Sequence, residues 1–171
     1  MGIRHALDDV RFMRVLFPAA EREAAALGDE QPGPEHLLLG ALSVPDDSTA
    51  RDALASVHAT PESIRTAIGR VHADALSALD IATDAGLATS PSAGGRRLEG
   101  PYRSTGSAQD VFQRAVALSK EDTPAVLRAA HVVLAVAEQE HGTVARVLGA
   151  LGVDRHALTA AARTALSGRP S

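Results

Sequence analysis

The sequence predicts an all-α fold made of two tandem copies of one four-helix repeat. Composition, a Gly/Pro/Ser-rich break near the middle, and the same order of elements on either side of that break predict it. Hydrophobic residues make up 45% of the 171, yet aromatics only 2%, with no Trp and no Cys. Ala and Leu dominate the apolar set, and both are strong helix formers that pack closely. Strand-favouring runs of Val, Ile, Thr and aromatics are missing.

In the first copy a helix is expected over 8–27, followed by a turn over 28–33. Pro18 falls inside that helix and removes one of its hydrogen bonds, at a cost of about 3 kcal/mol if unrelieved. It predicts either a bend there or a later start. A second helix begins at Pro34, a residue suited to the first helical position because its missing N–H would have had no partner. It carries His36, Leu37, Leu38, Leu39, Ala41 and Leu42. After Pro45, Asp46 and Asp47, Ser48 is the expected cap of a short third helix with Ala50, Ala53, Leu54 and Val57 on one face. Thr60, Pro61 and Glu62 form the expected start of a fourth, by capping hydroxyl, pre-set φ and carboxylate at the positive dipole end. Its stripe, Ile64, Ile68, Val71, Ala75 and Leu79, follows helical spacing and predicts one buried face.

The segment 88–109, ATSPSAGGRRLEGPYRSTGSAQ, holds four Gly and two Pro and reads as a linker. The chain therefore divides into a first repeat over 1–87, a flexible linker over 88–106 and a second repeat over 107–171. A helix is expected over 107–121, with Val111, Phe112, Ala115, Val116 and Leu118 as its apolar set. His131, Val132, Val133 and Leu134 repeat His36, Leu37, Leu38 and Leu39 at an offset of 95 (131 − 36). Leu148 repeats Leu54 at 94, Asp154 stands where Thr60 caps, and Leu158, Ala162 and Ala165 continue the fourth stripe. Gly168 is the expected stop. A repeat of this length sets the whole architecture, and the seam between copies is where a partner would bind.

Net charge is −4 and the isoelectric point about 5.9, which argues against nucleic-acid binding. The densest basic group, Arg96, Arg97 and Arg103, lies in the linker and reads as solvated. With no Cys, disulfides and thiolate sites are excluded. Met1 to Val10 carries Arg4, His5, Asp8 and Asp9 in place of a signal-peptide apolar core. No apolar run approaches the roughly 18 residues of a membrane helix, so a cytoplasmic location is expected.

The stretch Leu27-Gly28-Asp29-Glu30-Gln31-Pro32-Gly33-Pro34-Glu35-His36-Leu37-Leu38-Leu39-Gly40-Ala41-Leu42 resembles the signature of the Clp ATPase N-terminal domain, where a helix ending in Leu and a short turn precede Gly-Thr-Glu-His and Leu-Leu-Gly-Leu. The likeness continues through Ala53-Leu54 and Val147-Leu148-Gly149-Ala150-Leu151-Gly152-Val153, and spans the chain apart from the linker and termini. It implies a pseudo-symmetric domain of two Clp N repeats that receives adaptors and protein substrates for an unfoldase. In the ClpC-like branch it also implies phosphoarginine pockets, one per repeat, where a Glu meets the guanidinium and a Thr meets the phosphate. By that resemblance the ligand-binding residues are Glu35, in the first copy, and Thr105, in the second. Ala130 replaces the Glu in the second copy and Val10 the Thr in the first, so each copy keeps one of the two partners that a guanidinium and a phosphate need.

Nothing in the sequence points to an enzyme, a metal or a cofactor. No Gly-x-x-x-x-Gly-Lys-[Ser/Thr] occurs and the single lysine is Lys120, so a free-standing N-domain without ATPase modules is expected. No His-Glu-x-x-His or Gly-x-Ser-x-Gly occurs either. Glu138, Glu140 and His141 cluster at a helix end, an ordinary place for a His. His36 and His131 are expected to orient their turns through a backbone hydrogen bond. The leading expectation is an adaptor or decoy that binds a Clp unfoldase, an adaptor or a protein substrate. The alternative is a sequestering resistance protein for a small molecule or cyclic peptide, and a transcriptional regulator is a weak third.

Overall fold

The computed structural model describes residues 2–84 and 104–168, with side chains described over 6–79 and 104–168. The fold is all-helical, with eight helices among the described residues: α1 (Gly2–Leu27), α2 (Pro34–Leu42), α3 (Thr49–Ser56), α4 (Pro61–Asp84), α5 (Gly106–Ser119), α6 (Ala129–Ala137), α7 (Thr143–Ala150) and α8 (Arg155–Ser167). The predicted linker and its Arg96, Arg97 and Arg103 lie outside the described residues as far as residue 103.

Two short helices, α2 and α6, form the centre. All nine residues of each are buried, and the two pack on one another. The remaining helices are exchanged between the copies. Helix α3 packs on α8 and α4 on α7, while α1 covers α2 and α5 covers α6. A stripe from each copy thus closes over the other, and the core is continuous from Phe12 to Ala162. Phe17 and Phe112 meet edge to face with centroids 4.8 Å apart. Their offset is also 95 (112 − 17), so equivalent rings touch where the two copies face each other.

Local chemistry repeats as well. Leu54 O accepts from Ala59 N–H at the end of α3, and Leu148 O from Val153 N–H at the end of α7, both at 3.0 Å. The left-handed residue that closes each turn is His58 (φ 57) in one copy and Gly152 (φ 67) in the other. Glycine adopts that conformation freely, whereas His58 is held in it by the turn.

The structure departs from expectation at four places. Helix α1 begins at Gly2 and runs unbroken through Pro18. Arg14, whose carbonyl loses its helical donor there, is exposed, so water can replace the bond. Ser48 precedes α3 but makes no capping bond. Asp47 does that work, accepting from Thr49 N–H at 2.9 Å. Third, α5 ends at Ser119, two residues before the expected limit. Finally, the α4 stripe is buried only through Val71, and Leu79 is 61% exposed. Helix α4 has 24 residues and its neighbour α7 has 8, about 36 Å against about 12 Å, so α4 overhangs its cover.

Candidate functional site

The turn before each central helix is built around a histidine. His36 Nδ1 accepts from Gly33 N–H at 2.9 Å, and His131 Nδ1 accepts from Arg128 N–H at 3.0 Å. Both rings therefore carry their proton on Nε2, facing an aspartate. His131 Nε2 and Asp122 Oδ2 form a hydrogen bond of 3.0 Å. His36 Nε2 lies 3.1 Å from Asp29 Oδ2 but out of hydrogen-bond alignment. His72 Nε2 stands 3.7 Å from the same oxygen. Burial holds the His36 ring below the ordinary histidine range, with Asp29 pulling it back up.

Glu35, in the first turn of α2, is 6% exposed. Its Oε2 has no hydrogen-bond partner. Burial raises its carboxyl above the ordinary carboxylate range. A hydrogen bond from its own backbone N–H opposes this, Asp29 adds to it, and His72 opposes it. Gly33 gives the carboxylate room, since a Cβ there would stand 2.5 Å from Glu35 Oε1. Salt-linked Glu23 and Arg65, at 2.9 and 2.7 Å, tie α1 to α4 nearby, and that bond holds Glu23 below its usual range.

Thr105 is the N-cap of α5, its Oγ1 accepting from Ala108 N–H at 3.2 Å. Its own N–H donates to Pro32 O at 3.0 Å. The start of α5 is thus tied to the loop before α2, at Pro32, three residues ahead of Glu35 (35 − 32).

The related turn before α6 is wired differently. Leu127 N–H donates to Asp9 Oδ1 at 2.8 Å, Ala129 N–H to Asp47 Oδ2 at 2.6 Å, and Ala130 N–H to Thr49 Oγ1 at 3.0 Å. Asp9, Asp47 and Thr49 were not singled out by the sequence. A signal was present: at the 95-residue offset, Pro32 and Pro34 replace Leu127 and Ala129, removing the two N–H groups that need the aspartates. Beside this turn runs a groove of ≈ 1060 Å³ between α1, the α2–α3 loop and the end of α8. Among the described residues no three or more His, Cys, Asp or Glu side chains are grouped so as to hold a metal, and no helix is long and apolar enough to cross a membrane.

The raised carboxyl sets a pH signature. Glu35 has a higher pKa folded than unfolded, so the folded state holds more protons across that window and stability falls as pH rises through it. His36 acts in the other direction, its contribution being lost as pH falls below about 6.5. Glu35→Gln is therefore expected to melt above the parent at about pH 8 and to match it near pH 4, each unit of displacement being worth about 1.4 kcal/mol. Melting curves across pH check this, and a variant less stable at high pH would refute it.

Residues 103–171 match the family described as the Clp repeat (R) N-terminal domain. The rice (Oryza sativa subsp. japonica) chaperone protein ClpD2, chloroplastic, is 31% identical over 152 residues, 87% of this chain; the match spans 14% of that protein's length. The crystal structure of the N-terminal domain of the caseinolytic protease associated chaperone ClpD from Arabidopsis thaliana shares the fold, with a TM-score of 0.60, 23% identity and 98% of each chain covered. With the duplicated histidine turns and exchanged helices, these likenesses establish that the chain belongs to the Clp N-terminal domain family.

Proposed function

We propose that this chain is a protein-binding module that receives adaptors or protein substrates of a Clp unfoldase, as adaptor or decoy, by taking an arginine side chain at Glu35. The observation that carries this is the buried Glu35 carboxylate with one oxygen unpartnered. An unpaired buried carboxylate is costly, and a guanidinium is a bidentate donor matched to it. Glu35 is sealed in the free chain, so binding requires it to turn outward, and release of the buried charge offsets part of that motion. Thr105 and Ser107, whose hydroxyls lie 3.0 Å apart, flank the seam as donors for a phosphate on the arginine.

Calorimetric titration with phosphoarginine, and with arginine as control, tests the reading. Saturable binding weakened roughly tenfold or more by Glu35→Gln, the loss of one charge-assisted bond, is expected. Binding that ignores Glu35, or none to either ligand, would remove it. The groove beside α6 favours a second reading, capture of a cyclic peptide or small molecule. Its floor includes Phe12, Val44 and Leu127, and an unchanged melting temperature with such a ligand would end it.

A further inference from the structure

The two histidine turns are related by the repeat, yet their electrostatics are opposite. Before α2, prolines at 32 and 34 remove two donors, and the Glu35 carboxylate lies buried in the first turn of the helix. Before α6, all four consecutive N–H groups from Leu127 to Ala130 are present and all four are taken. His131 takes that of Arg128 from within the turn. The other three reach into the first copy, to Asp9, Asp47 and Thr49. Asp47 is held on both sides. Its Oδ2 accepts from Ala129 N–H, while its Oδ1 accepts from Thr49 N–H and from Thr49 Oγ1 at 2.6 Å. Thr49, 4% exposed, passes the link on to Ala130.

We infer that Asp47 is an internal anion that closes the second site, so that the chain binds one arginine-type ligand, at Glu35, and accepts no outside anion at α6. The stoichiometry of one rests on the function proposed above; the closure by Asp47 does not. A carboxylate at a helix N-terminus faces the positive end of the dipole and directly bonded N–H groups. An external phosphate would have to displace a group that is covalently tethered and already oriented, which sets its effective concentration high. With Ala130 in place of the motif Glu, no acceptor for a guanidinium remains in that turn. The site lacks one ligand half by substitution and the other by occupation.

Inorganic phosphate is the probe, and amide hydrogen exchange at Ala129 and Ala130 is the readout. In the unaltered chain both amides should exchange only with global unfolding, at the same rate with phosphate or with chloride at matched ionic strength. Fast, loop-like exchange there, or slowing by phosphate, would overturn the closure. In Asp47→Ala the Ala129 amide should exchange roughly tenfold faster or more, as loss of a bond to a charged acceptor implies, and phosphate should slow it again. Asp47→Asn keeps the side-chain shape and supplies the same comparison if the alanine variant does not fold. A folded variant with unchanged exchange at Ala129 also refutes the closure. Calorimetry of the unaltered chain with phosphoarginine then counts sites. A value of one supports the inference, and two overturns it. Absence of binding removes the Glu35 reading while leaving the exchange result to decide the closure.

Discussion

Gly40→Val is expected to destabilise the chain by about 3 kcal/mol or more, because overpacking that presses on backbone cannot relax through side chains. A Cβ at residue 40 would stand 2.8 Å from Leu16 O, 3.1 Å from Ala20 N and 3.4 Å from Ala20 Cβ. Two of those atoms belong to the α1 backbone, so relief means lifting α1 away from α2. Leu16 and Ala20, at 0% and 1% exposure, would lose contact as α1 moved. Glycine is disfavoured inside a helix by about 1 kcal/mol relative to alanine, so its presence in α2 reflects this close approach. The equivalent residue of the second copy is Ala135 (40 + 95), fully buried in α6, so α5 leaves space that α1 does not. Urea denaturation measures the effect. A valine variant within about 1 kcal/mol of the parent would show that α1 can shift freely.

Much of this fold was legible because the relevant signals are local. Pro34, the Thr60–Pro61 pair, Asp154 and Gly168 mark helix ends through their own backbone chemistry. Asp154 caps α8 by accepting from Ala157 N–H at 2.8 Å, as its position implied, and both histidines make the expected backbone bonds. Periodicity identified the buried face of α3 and that of α4 as far as Val71. It could not say which helix covers each face. The exchange of α3 onto α8 and α4 onto α7 follows from complementary shapes distant in sequence, and no spacing rule encodes that. Leu79 shows the same limit: its position fits the stripe, yet it is 61% exposed.

The candidate site divides along the same line. Glu35 and Thr105 were visible as motif residues, each within its own copy. The link from Thr105 to the loop before α2 is a bond from its N–H to Pro32 O, between residues 73 apart (105 − 32). Asp47 was visible only as a residue of the loop before the third helix, because its acceptor role lies 82 residues away, at Ala129. The repeat makes such contacts interpretable after the fact. Where two copies share a scaffold, a position that keeps its backbone role but changes its hydrogen-bond inventory, as Pro34 and Ala129 do, marks a structural divergence between them. That comparison is physical, since a proline cannot donate, and it needs no other sequence.

Leu54→Ala is expected to cost about 2–5 kcal/mol, the range for emptying a buried leucine site, and to weaken both copies together. Leu54 is 1% exposed and lies on α3, which packs on α8 of the second copy. If the repeats were independent lobes, the loss would stay in the first and the melting curve would split into two steps. With the helices exchanged, α3 cannot loosen without uncovering Leu158 and Ala162, which are fully buried on α8. The variant should therefore unfold in one transition, coincident by circular dichroism and by exchange of α8 amides. Two separated transitions would show that each repeat folds alone. A single shifted one implies a stronger consequence for binding: the Glu35 seam, built from both copies, exists only while the whole domain is folded, so its ligand should stabilise both halves equally.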